Sequence, residues 1–177
     1  MNRPGKKIVV LGPESTGKST LCKRLAEHYK TSWVPEYARE YLEHHGLGYD
    51  FDSLLTIAKG QVALEEEYIG KLNASSTLFI DTDQYVLKVW AEFVYGKCHS
   101  WILNQAAMRN YDLYLLCNVD LPWVKDGLRE YPDLLTRKTL YKHYLDIMIN
   151  QPVPWIDISG TYDERFEKAV TAIDCLL

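Results

Sequence analysis

At 177 residues, 47% of them hydrophobic and 25% charged, the chain suits one globular domain with a sizeable core. Its net charge of −4 carries no bulk basic footprint for DNA or RNA, and no apolar run approaches the length of a membrane-spanning helix. The four cysteines (Cys22, Cys98, Cys117 and Cys175) stand far apart with no C-x-x-C pair, which argues against a zinc site and a disulfide framework.

No signal peptide is visible, so the expected compartment is the cytoplasm. Cys22, Cys117 and Cys175 fall in helical or strand patterns and read as small buried hydrophobes. The 13 tyrosines and 5 tryptophans are the one unusual feature of the composition. Several lie in polar segments, where a flat ligand could stack on them.

In chain order, Met1 to Lys6 is a short polar lead-in. Lys7 to Leu11 reads as a buried strand running into Gly12-Pro13-Glu14-Ser15-Thr16-Gly17-Lys18-Ser19, which fits the phosphate-loop pattern G-x-x-x-x-G-K-[ST]. The pattern has a physical reason. Gly12 and Gly17 can take positive φ and let the backbone approach an anion. Successive N–H groups then point inward at the positive end of the next helix. Lys18 is placed to reach the β- and γ-phosphates, the Ser19 hydroxyl to ligate Mg²⁺, and the Thr20 hydroxyl to approach the α-phosphate. Leu21, Leu25 and Tyr29 recur every four residues, as on the core face of a helix.

Thr31 to Pro35 is a brief second strand, and Glu36 begins a helix that stops near His45-Gly46. His44-His45 reads as a solvated helix end, because adjacent helical side chains diverge. Asp52 or Ser53 is expected to cap a long helix reaching about Leu72. Thr77 to Ile80 is a third strand ending in Asp81-Thr82-Asp83, followed by a helix through Trp90 and Phe93 that stops near Gly96. His99 to Met108 is another helix and Asp112 to Cys117 a fourth strand. Pro122 to Asp133 is polar and turn-rich. Leu134 to Ile149 carries Leu140, Tyr144 and Met148 in register. Val153 to Ile158 is a fifth strand, and Asp163 to Leu177 a last helix marked by Phe166, Val170, Ile173 and Leu177. Alternation of this kind predicts an α/β fold, a five-stranded mainly parallel sheet with helices on both faces. Ligands bind such sheets beyond the carboxyl ends of the strands.

Those strand ends supply the candidate chemistry. Asp81 stands where a metal-holding acid follows an apolar strand, with helix capping as the alternative. Asp83 reads equally as a cap or a partner for substrate hydroxyls. Glu36 is the first candidate for the base that orients an attacking hydroxyl, and Asp81 the second. Arg39 either binds a phosphate or pairs with Glu36 or Glu43. In the turn-rich segment, Arg129 could stabilise charge on a transferring phosphoryl group, and Trp123 either stacks on a flat ring or folds back onto the core.

With these residues in place, the chain resembles the ribosylnicotinamide kinase domain of the bacterial NadR proteins, a group of P-loop kinases. The resemblance rests on Gly12 to Ser19, Glu36-Tyr37-Ala38-Arg39-Glu40, Phe79-Ile80-Asp81-Thr82-Asp83, Tyr95-Gly96-Lys97 and Trp123-Val124-Lys125-Asp126-Gly127-Leu128-Arg129, in family order over nearly the whole chain. It implies a three-layer P-loop kinase fold and transfer of the ATP γ-phosphoryl group to the 5′-hydroxyl of nicotinamide riboside, with Mg²⁺ held by Ser19 and Asp81. It further implies Glu36, Tyr37, Arg39, Asp83, Trp90, Trp123 and Asp126 as substrate residues, Lys18, Glu36, Asp81 and Arg129 as catalytic ones, and Gly160, Thr161 and Tyr162 near adenine. Full-length relatives can carry a DNA-binding segment and a nucleotidyl-transferase domain. Residues 1–177 are expected to form the kinase domain alone. Lys125 and Ala38 depart from the family's usual residues, which leaves the nucleoside open.

Two other readings remain: a kinase for another nucleoside, and a non-catalytic switch binding ATP or GTP. Against the switch, Asn118-Val119-Asp120 continues into Leu121-Pro122 and makes no Asn-Lys-x-Asp guanine motif.

Overall fold

Side-chain alternation along the first strand divides the core in two. In β1 (Lys7–Leu11), Ile8 and Val10 pack on one face of the sheet, while Val9 and Leu11 pack on the other. A strand buried on both faces must be central. The computed structural model describes residues 5–73 and 76–177; the start of the polar lead-in, Met1 to Pro4, lies outside the described residues. The remaining strands are β2 (Trp33–Val34), β3 (Leu78–Asp81), β4 (Leu113–Cys117) and β5 (Trp155–Ile158). Their order in the sheet is β2-β3-β1-β4-β5 and every pairing is parallel.

Helices α1 (Lys18–His28) and α7 (Tyr162–Asp174) cover the face that carries Ile8 and Val10. On the opposite face lie α4 (Gln84–Tyr95) and α6 (Leu134–Asn150). A third apolar cluster joins α2 (Tyr37–His45), α3 (Phe51–Lys71), α4 and α5 (Ser100–Met108). The expected α/β architecture with helices on both faces is the observed one.

Local chemistry sets the helix ends. The long helix α3 is capped by Asp50, not by Asp52 or Ser53. Asp50 accepts from the Ser53 amide at 2.8 Å, and Ser53 Oγ in return accepts the Asp50 amide. Ser53 is thus the third residue of a capping box rather than its first. Gly96 ends α4 in the left-handed region, at φ 66°. His44 and His45 bond the carbonyls four residues back and stay exposed.

Two burial expectations need correction. Cys175 lies just past the end of α7 and is exposed. On α7 the fully buried stripe is Arg165, Ala169 and Ile173; Phe166 and Val170 are only partly buried, and Leu177 is exposed. The stripe is displaced because an arginine occupies a core position. Among the described residues no helix is long and apolar enough to cross a membrane.

Candidate active site

The phosphate loop leaves β1 at Gly12, whose φ of 136° no side chain tolerates readily. A Cβ there would also lie 2.6 Å from the Cys117 carbonyl oxygen. Gly17, at φ 79°, is pressed by the Tyr162 ring and by Leu121. Ser15 takes a positive φ of 56° without being glycine. Inside the loop, Thr16 Oγ1 and Lys18 Nζ both donate to the Pro13 carbonyl, at 2.7 and 3.0 Å. Lys18 is only 9% exposed, so its charge is held back against the loop.

Ser19 Oγ donates to Asp81 Oδ2 at 2.5 Å. Asp81 is fully buried, and its carboxyl is pushed up to about 7, first by burial and then by the charge of Glu36, while Lys18 opposes both. The next residue, Thr82, is buried with φ 77°. A β-branched residue in that region is strained, and the strain lies between Asp81 and Asp83, the cap of α4. One buried carboxylate and one hydroxyl, at the mouth of an anion-binding loop, form a hard-oxygen pair suited to Mg²⁺ that keeps phosphate and water ligands. Among the described residues no group of three or more His, Cys, Asp and Glu could hold a metal alone.

Glu36 precedes the first residue of α2 but its side chain does not cap it. Gln61 of α3 does that work: its Oε1 accepts the Tyr37 amide at 2.8 Å, and its Nε2 approaches the Pro35 carbonyl. No donor among the described residues reaches the Glu36 carboxylate, which faces a cavity shared with the phosphate loop. The same cavity is walled by Arg39, Val86, Val89, Trp90, Phe93, Arg129, Tyr131 and Tyr144. Trp90 Nε1 donates to the Tyr49 hydroxyl at 3.0 Å, and that hydroxyl donates to Glu130 at 2.8 Å. The indole face is therefore fixed at the cavity wall.

Residues 118–133 connect β4 to α6, and Leu128, Arg129, Glu130 and Tyr131 of this segment line the cavity as its lid. The loop itself holds the lid down. The Glu14 carboxylate accepts the amides of Glu130, at 3.1 Å, and Tyr131, and Ser15 Oγ accepts the Val124 amide at 2.9 Å. Arg39 pairs with Asp126 at 2.9 Å, and Arg129 donates to the Val124 carbonyl at 2.5 Å.

Several residues expected at the site do not line this cavity. The Tyr37 ring packs over Gly60, where a Cβ would lie 2.0 Å from it, so it belongs to the α2–α3 contact and not to the cavity wall. Asp126 is taken by Arg39 and by the Leu128 amide. Trp123 is half-buried, away from the cavity wall, with its indole N–H unpartnered. Thr161 caps α7 in a capping box with Glu164, and Gly160 donates its amide to Asp120. Gly160, Thr161 and Tyr162 lie outside the cavity wall, with the Tyr162 ring against Gly17 on the flank of the loop. Arg165, which the sequence reading passed over, ties the Thr16, Asn118 and Gly160 carbonyls together and pairs with Asp120.

Asp83 is also withdrawn from the cavity. It caps α4 through the Tyr85 amide and accepts the Tyr114 hydroxyl at 3.1 Å. Burial pushes its carboxyl up to about 7, against the pull of those two donors. A raised carboxylate means that the folded chain keeps a proton the unfolded chain has lost above about pH 4. Its stabilisation is full below that pH and falls as pH rises toward about 7. Asp83→Asn keeps the cap acceptor and is expected to flatten part of this fall in urea-unfolding midpoint, Asp81 supplying the rest. A pH profile identical to the parent chain would refute the assignment.

Residues 7–165 match the AAA domain family. The chain belongs to that family. It is similar to the trifunctional NAD biosynthesis/regulator protein NadR of Salmonella typhimurium, at 29% identity over 170 residues, covering 94% of this chain and 41% of that protein. The NadR of Escherichia coli matches to the same extent. The chain thus spans about two-fifths of the length of these curated relatives. Among solved structures, a NadR protein in complex with NR superposes with a TM-score of 0.79 at 21% identity, over 97% of this chain and 51% of that one. Thymidylate kinase from Candida albicans superposes with a TM-score of 0.71 at 18% identity, over 97% and 92% of the two chains.

Proposed function

We propose that this chain is an ATP-dependent kinase that phosphorylates the 5′-hydroxyl of nicotinamide riboside to give nicotinamide mononucleotide. The observation that carries the reading is one cavity with two kinds of wall. Its lining combines the phosphate loop and the Glu36 carboxylate, unpaired among the described residues, with the rings of Trp90, Phe93 and Tyr131. Aromatic faces beside the carboxylate of Glu130 suit a flat cationic ring such as a pyridinium. The similarity to NadR supports the same substrate.

In this mechanism the loop amides and Lys18 bind the triphosphate. Ser19 and Asp81 would hold Mg²⁺, which supplies further charge neutralisation at the β- and γ-phosphates. Glu36 accepts the proton of the 5′-hydroxyl as that oxygen bonds to the γ-phosphorus, and the bond to the β–γ bridging oxygen of ADP breaks. Arg129 faces the charge that develops on the transferring group. Catalysis is then positioning and electrostatics rather than covalent chemistry.

The test is ADP release from Mg·ATP in a coupled assay, with nicotinamide riboside and, separately, with adenosine, uridine and thymidine. Riboside-dependent turnover that exceeds the neutral nucleosides is expected. Turnover with neutral nucleosides alone would discard the substrate and keep the kinase. Nucleotide binding without turnover on any of the four would discard the kinase.

A further inference from the structure

The connection between α2 and α3 places one tyrosine hydroxyl between two groups that line the cavity. Tyr49 stands directly before Asp50, the cap of α3, and its carbonyl accepts the Tyr95 hydroxyl from the end of α4 at 3.2 Å. The capping box on one side and Tyr95 on the other fix its backbone. Tyr95 opens the Tyr95-Gly96-Lys97 stretch on which the resemblance partly rests, and this bond is what its hydroxyl does in the fold.

At the hydroxyl of Tyr49 the directions of the hydrogen bonds are forced. An indole N–H can only donate, and an ionised carboxylate can only accept. The Trp90 N–H therefore takes the acceptor side of the Tyr49 hydroxyl, at 3.0 Å, and the one phenolic proton goes to Glu130 Oε2, at 2.8 Å. Burial and the Glu130 carboxylate hold the phenol above its ordinary range, against the pull of the Trp90 donor, so that proton stays in place. The Tyr49 and Trp90 rings also meet edge to face, with centroids 4.9 Å apart. Trp90 comes from α4 and Glu130 from the lid, and both line the cavity, whereas Tyr49 stands behind them.

We infer that Tyr49 is a positioning residue for acceptor specificity, holding the Trp90 indole and the Glu130 carboxylate in one arrangement that selects a positively charged flat ring. This rests on the proposed acceptor and adds to it the residue that sets the preference for charge. A glutamate on a connecting segment has several rotamers, and ordering it on binding weakens affinity. The Tyr49 hydroxyl orders it before the ligand arrives. An aromatic face with a fixed anion beside it attracts a cation and holds a neutral ring of the same shape less well.

The test compares the parent chain with Tyr49→Phe, Glu130→Gln and the double variant. Titration calorimetry gives the affinities for nicotinamide riboside and for its 1,4-dihydro form, which keeps the ribose and the carboxamide but has a neutral ring. ADP release gives the KM for Mg·ATP. The parent is expected to bind the cationic form more tightly. Tyr49→Phe should weaken that form about 10- to 100-fold. It should weaken the dihydro form, and raise the KM for Mg·ATP, by less than about threefold. Glu130→Gln should abolish the preference. The double variant should lose less than the product of the two single losses, because both act through one carboxylate. A bracing role alone would weaken both ribosides and Mg·ATP together, and that result overturns the inference. Unchanged riboside affinity in Tyr49→Phe, a preference that survives Glu130→Gln, or losses that multiply would each do the same. If the parent binds the two forms equally, or binds neither, the acceptor reading falls and the inference falls with it. If the parent prefers the cation and Tyr49→Phe keeps that preference, the inference alone falls.

Discussion

Lys18→Met is expected to reduce turnover to background while the chain still folds. The Lys18 ammonium donates to the Pro13 carbonyl, a neutral partner on its own loop, at 3.0 Å. Exchanging that carbonyl for a phosphate oxygen takes a small rotation of a long side chain, and no carboxylate has to be displaced. Loss of one hydrogen bond between this ammonium and a neutral carbonyl costs folding about 1.5–3 kcal/mol, and methionine retains the apolar stem packed at the start of α1. The transition state, by contrast, loses a charge aimed at the transferring group, which is worth about 3–4 kcal/mol or more. There is a second, indirect loss. Lys18 is the positive charge that opposes the upward push on the Asp81 carboxyl, so its removal favours the neutral acid and weakens the metal-holding pair. ADP release and thermal melting, measured on the same preparation, check both halves. Turnover within about tenfold of the parent would sink the mechanism, since about 3 kcal/mol corresponds to more than a hundredfold.

How much of this was legible in the sequence depends on whether a residue's role is local. The phosphate loop was legible because Gly12, Gly17, Lys18 and Ser19 answer to backbone geometry and charge within eight positions. Strand ends and the parallel sheet followed from apolar runs. Roles that depend on a distant partner were not legible. Tyr37 is claimed by Gly60, a contact that no spacing rule encodes. The freedom of Glu36 depends on Gln61, a buried amide one helix away that caps in its place. Asp83, which local chemistry left between two roles, is decided by a hydroxyl on β4. The two arginines that bond loop carbonyls, Arg165 at Thr16 and Arg137 at Ser15, could have been suspected. Arg137 falls in the same helical register as Leu140, Tyr144 and Met148, and a cation on a buried stripe requires a partner. The aromatic lining of the cavity joins Trp90 and Phe93 on α4 to Tyr131 in the lid, where Phe93 and Tyr131 meet edge to face at 5.4 Å. Only the folded lid brings them together.

Glu36→Gln is expected to lower kcat by about 10²- to 10⁴-fold, the usual range for loss of a general base, with Mg·ATP affinity preserved. The geometry separates it from its neighbour. Asp81 is fully buried and bonded to Ser19, so its oxygens serve the loop and the metal-holding pair. The Glu36 carboxylate stands in the cavity with no donor among the described residues, open to a substrate hydroxyl. The two are coupled, because the Glu36 charge helps to push the Asp81 carboxyl up. Glutamine at 36 removes that charge and lets Asp81 ionise more readily, so metal-dependent nucleotide binding should hold or tighten slightly as catalysis is lost. Asp81→Asn should do the reverse, weakening Mg·ATP binding and raising the magnesium concentration needed for half-maximal rate. Measuring kcat and Mg·ATP affinity in both variants, with magnesium titrated in each, separates base from metal holder. If Glu36→Gln leaves kcat within about threefold of the parent while Asp81→Asn abolishes it at saturating magnesium, the proton passes to Asp81. Glu36 then acts on the reaction only through the charge it imposes on that buried acid.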